Sequence, residues 1–131
     1  MKTKIPLWIN ILQVVIFAIL AFQTYACYFN PHLLYPGIPV DASTQQVFYV
    51  LAGRNATMAI LCLIALIKQE PRFFSFTFLM NALRDFQDMF IAPLTGAPLI
   101  VFFVFLFVFV IPEIGAFIKL KRMADALVQR A

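Results

Sequence analysis

Charge is scarce in this chain. Asp, Glu, Lys and Arg make up 12% of the 131 residues, about half of the ~25% usual for a soluble domain. Hydrophobic residues make up 63%, against roughly 45–50%. A water-soluble fold of this composition would leave much of its apolar surface wet. Cysteine is nearly absent, and Cys27 and Cys62 are too few for a disulfide framework. The one histidine, His32, sits in a proline-rich stretch, so a bis-His haem site cannot form within one chain. No Cys/His cluster suits zinc, and no metal and no cofactor is expected. The four glycines form no phosphate-cradling loop, and no serine stands in a nucleophile motif. No internal repeat is visible, which speaks against a secondary transporter. The net charge of +4 is dispersed between apolar runs, so nucleic acid is excluded as a partner.

What is present is long apolar sequence. A transmembrane helix needs about 20 mainly apolar residues. Four stretches qualify: residues 5–29, 46–67, 73–94 and 97–120, the last containing "VFFVFLFVFV". The expected fold is an all-α integral membrane four-helix bundle, one domain over residues 1–131 with antiparallel neighbours. Lys and Arg set its direction. Lys2 and Lys4 precede span one, Lys68 and Arg72 lie between spans two and three, and Lys119, at the inner end of span four, is followed by Lys121, Arg122 and Arg130. The outer connections, residues 30–45 and 95–96, contain neither Lys nor Arg. Both termini are therefore expected in the cytoplasm, and the protein in an inner, cytoplasmic or equivalent membrane as a multi-pass chain. Span one has a basic start and a small residue, Ala26, before Cys27. Its apolar run nevertheless exceeds the roughly 7–15 residues of a signal peptide, so it is read as a retained span.

Connections are short. "KQEPR" turns at Pro71 and "PLTGAP" between Pro93 and Pro98. The exception is "NPHLLYPGIPVDAST", whose prolines disfavour a helix. It reads as an interfacial connector or a lid over an outward-facing cavity. The tail, residues 119–131, is expected to continue span four as a basic helix on the anionic inner leaflet. Pro112 should kink span four.

Five ionisable residues fall inside the spans: Arg54, Arg84, Asp85, Asp88 and Glu113. Each costs about 2.5–3.5 kcal/mol at mid-membrane on insertion scales, so they should face the interior, pair, or meet water. At ~1.5 Å rise per residue, Arg54 lies about 12 Å below the outer end of span two. Asp85 comes out near the same level and Asp88 one turn further out, so Arg54 is expected to pair with one of them. Thr77, Asn81, Asp85 and Asp88 follow helical spacing and form one polar stripe. Arg84 borders it and can pair with Asp88 at i,i+4. Glu113 falls deeper, near the levels of Asn10 and Gln13, and these three form a second polar cluster. Ala52/Ala56 and Gly53/Thr57 give span two spacing for close helix contact.

These residues point to a site for a small amphiphilic or lipid-like ligand. Arg54, Asn81, Arg84 and Tyr49 would hold its polar end, while Phe residues and Met58, Met80 and Met89 would take its apolar body. In an enzymatic version, an isomerase or proton-transfer catalyst, Asp85 would be the acid or base and Asp88 the second candidate. A third reading is an accessory or scaffold subunit of a larger membrane complex. The partners expected are membrane lipids, the amphiphile, and further copies or other subunits of an assembly.

The stretches "AGRNATMAILCLIAL" and "NALRDFQDMFI" resemble small four-span proteins of the DoxX-like group, over roughly residues 46–92. That group pairs a Gly-x-Arg near the start of span two with an acidic residue late in span three. The matching positions are Gly53 and Arg54 with Asp88. The order "GR" departs from Gly-x-Arg unless Ala52 stands for the glycine. The resemblance implies an architecture and a site position, and no reaction.

Overall fold

The computed structural model describes residues 4–94, 96 and 98–129, without the side chains of residues 91–93. Lys2, Thr95, Ala97 and Arg130, used above for charge partition and span limits, lie outside the described residues. Helix α1 spans Leu7–Phe29. A 3₁₀ turn, Pro31–Leu33, follows. Then come α2, Ala42–Lys68, α3, Pro71–Leu94, and α4, Leu99–Gln129. No strand occurs among the described residues.

The helix limits have local causes. α2 begins four residues ahead of Gln46 because Asp41 caps it. Its Oδ1 accepts the N–H groups of Ser43 at 3.0 Å and Thr44 at 2.8 Å, while the Asp41 N–H donates to Thr44 Oγ1 at 2.9 Å. This is a reciprocal cap in which threonine takes the place of the usual Glu or Gln. The cap bonds from Thr44 and Ser43 hold the Asp41 carboxyl at about 2, below its ordinary 3.8. A lowered carboxyl stabilises the folded state fully above its unfolded value, and that contribution fades as pH falls toward the folded value. Amide-exchange protection at Ser43 and Thr44, corrected for intrinsic rates, is therefore expected to drop as pH falls from 3.8 toward 2. In Asp41→Asn, which keeps a cap acceptor without a titratable charge, it should stay flat over the same window.

α2 ends at Lys68, and Gln69 follows in the left-handed region at φ 50°, the conformation that terminates many helices. α3 starts two residues before Phe73. Pro71 occupies its first position, where a missing N–H costs nothing, and the Glu70 carbonyl accepts the Phe74 N–H at 2.9 Å.

α4 departs from regular helix. Residues Phe105–Val110 are wound as π-helix, and the Ile111 N–H reaches back to the Leu106 carbonyl. Pro112 explains this. It has no N–H for the carbonyl four residues behind it, and its ring crowds that carbonyl. Widening the preceding turn relieves both. Where the sequence predicts a kink at Pro112, the chain has this π segment just before it.

The chain forms two compact units, residues 7–67 and residues 68–129 with residues 4–6. In the first, α1 and α2 run antiparallel. Near one end, Cys27 packs with Phe48 and Ala52 and the Tyr28 and Tyr49 rings lie 5.5 Å apart. Toward the other, Gln13 Nε2 donates to the Cys62 carbonyl at 3.5 Å, a long bond. In the second unit α3 and α4 are also antiparallel. Phe90 meets Phe102 at 5.9 Å, while Glu70, Pro71 and Arg72 share a groove of about 390 Å³ with Ala124, Leu127 and Val128.

Buried positions on α3 recur at helical spacing: Phe74, Thr77, Phe78, Asn81, Ala82, Asp85 and Met89. On α4 they are Val110, Glu113, Ala116, Leu120 and Ala124. The alanines let the two helices approach closely.

Polarity is distributed the opposite way from a protein built for water. Gln13, Asn55, Thr77, Asn81, Asp85 and Glu113 are buried, while Ile67 is 74% and Leu94 85% exposed. Leu7–Phe29, Ala42–Lys68 and Leu99–Gln129 are each long and apolar enough to cross a membrane. This fits a membrane protein. α3, with 24 residues, is about 36 Å long but carries Arg84, Asp85 and Asp88 in its second half.

Candidate functional site

The polar stripe of α3 is built turn by turn. Thr77 Oγ1 donates to the Phe74 carbonyl at 2.9 Å. One turn on, Asn81 Nδ2 donates to the Thr77 carbonyl at 3.0 Å. Such bonds to the preceding turn fix short polar side chains against their own helix and leave the next turn to carry charge.

That turn holds Arg84 and Asp85. Adjacent residues on a helix do not normally face each other. The long Arg84 side chain overcomes this by wrapping back, and its Nε and Nη2 both donate to Asp85 Oδ1, at 2.8 Å and 2.5 Å. The side chains are 13% and 4% exposed. Both bonds fall on a single oxygen, so the second Asp85 oxygen is available to another group. The Arg84 Nη1 is buried and makes no hydrogen bond among the described residues.

Glu113 completes the site from α4. It is 0% exposed, and no N–H or hydroxyl among the described residues donates to either of its oxygens. Its neighbour is Asp85, with the two carboxyl groups within hydrogen-bonding reach and the Arg84 charge acting on both. Asp88, half-buried one turn along α3, adds its negative charge to the field at Asp85.

The structure thus brings Arg84, Asp85, Asp88 and Glu113 together in one unit, beginning one turn C-terminal to the buried Asn81 on α3. Arg54, exposed on α2, and Tyr49, 44% exposed, belong to the other unit. So do buried Gln13, bonded to Cys62, and half-buried Asn10. The sequence reading missed the Asp85–Glu113 contact. A straight helix counted from Ala97 puts Glu113 about 24 Å in, whereas Asp85 lies about 14 Å from the end of α3. Two features narrow that gap by roughly half: α4 starts at Leu99, which removes about 3 Å, and the π segment gains less length per residue than α-helix. Pro112 was the available signal, because a proline in an apolar run marks where simple depth counting fails.

No protein-family model, curated protein or solved structure matches the chain. The chemistry must be read from the side chains. Arg84, Asp85 and Glu113 carry one positive and two negative formal charges. Together they can donate through Nη1 and accept through Glu113. No group of three or more His, Cys, Asp or Glu residues arranged to hold a metal occurs among the described residues.

Proposed function

We propose that this is a four-span membrane protein with both termini in the cytoplasm. In this reading it binds the polar end of a small amphiphile at Arg84, Asp85 and Glu113. One observation carries the reading: among the described residues, buried Arg84 Nη1 has no acceptor and neither buried Glu113 oxygen receives an N–H or hydroxyl donor. Leaving such groups unsatisfied costs about 1–3 kcal/mol each, and a small head group that both accepts and donates would remove that cost. Phe78 and Met89, buried on the same face of α3, make the surroundings of the site apolar. A second reading, acid–base chemistry on the bound molecule by Asp85, draws support from its contact with Glu113.

The test is mass spectrometry of small molecules that co-purify with the protein in mild detergent. A bound amphiphile is expected with the parent protein and should be lost from Glu113→Gln and Arg84→Lys purified at equal yield. Retention unchanged in both variants would sink the assignment.

A further inference from the structure

We propose that Asp85 and Glu113 jointly bind one exchangeable proton, making the α3–α4 contact an intramembrane proton site. An ionised carboxylate only accepts hydrogen bonds. Two carboxyl groups within bonding reach therefore make their bond only when a proton lies between them. Among the described residues no N–H or hydroxyl group donates to Glu113, so the shared proton is the donor its geometry leaves room for.

Charge balance agrees. Arg84 offsets one negative charge through its two bonds to Asp85, the proton offsets the other, and the buried triad is neutral. The groups whose charge acts on the pair are Arg84 and Asp88 from α3. On α4 the next ionisable residue is Lys119, six residues on and exposed. The ligand here is the proton itself, which needs no cavity. Because one carboxyl stands on each helix, proton loss sets two like charges against each other across the contact, just below the π segment. Protonation and the packing of α4 on α3 are thereby linked, and the pair titrates as a unit.

Infrared spectroscopy of the full-length, delipidated protein tests this without reference to any bound amphiphile. The C=O stretch of a protonated carboxylic acid is expected at neutral pH, shifted in D₂O and lost in Glu113→Gln. No protonated-acid band in the parent protein, or a band that Glu113→Gln leaves unchanged, would overturn the proposal. Should that variant not accumulate, a hydrophobic carbodiimide applied to the parent protein decides. It adds across a protonated carboxyl, whose proton passes to a carbodiimide nitrogen while the carboxyl oxygen bonds the central carbon. The adduct then rearranges to a stable N-acylurea with no leaving group. One adduct per chain, on Asp85 or Glu113, is expected; two on the pair, or none, would contradict a single shared proton.

Discussion

Arg84→Ala is expected to destabilise the protein by about 3–5 kcal/mol, the usual consequence of removing one partner from a buried ion pair. The loss should be read in reversible unfolding in detergent. Among the described residues of its unit no second cation bonds Asp85 to take over, and Asp88 adds a further negative charge. Removing the guanidinium leaves two carboxyl groups facing each other without their counter-charge. The double variant Arg84→Ala/Asp85→Ala should recover most of the loss, because the uncompensated charge goes with the aspartate. A single-variant loss below about 1 kcal/mol, the range of exposed pairs, would mean that Arg84 and Asp85 are wet and the site is not buried.

Glu113→Gln is expected to have the opposite signature. A fully buried carboxyl that receives no N–H or hydroxyl donor among the described residues, and whose bond to Asp85 depends on a shared proton, works against the fold. Glutamine keeps the shape and brings an NH₂ that can donate to Asp85. Stability should therefore hold or rise by about 1 kcal/mol, while ligand retention is lost. A residue that costs the fold yet serves the site is the usual trade at a functional position. If Glu113→Gln instead lowers stability by more than about 2 kcal/mol and leaves retention intact, Glu113 is a packing residue.

The helices were legible because apolar runs of this length have few other uses, and because proline and charge mark their limits. The buried face of α3 was equally legible: Thr77, Asn81 and Asp85 lie four apart, and helix geometry alone puts them on one side. Less visible was the start of α2. Asp41 and Thr44 make a cap with threonine where the familiar box has Glu or Gln, so the helix reads as beginning later, at Gln46.

The arrangement of the charges was hidden for a different reason. Spacing along one helix suggests Arg84 with Asp88, and the guanidinium instead bonds its immediate neighbour, a choice made by side-chain conformation. Glu113 reaches Asp85 because Pro112 forces six preceding residues into π-helix, which changes both depth and facing. Neither effect has a periodicity that composition could reveal.

The account turns on a polar triad enclosed by apolar helices and completed by a small molecule. An experimental density map of the protein in a lipid disc tests it most directly. The account predicts Arg84, Asp85 and Glu113 in contact, with non-protein density against Arg84 Nη1 and the Glu113 carboxyl. A map in which Glu113 faces acyl chains, away from Asp85, would contradict it.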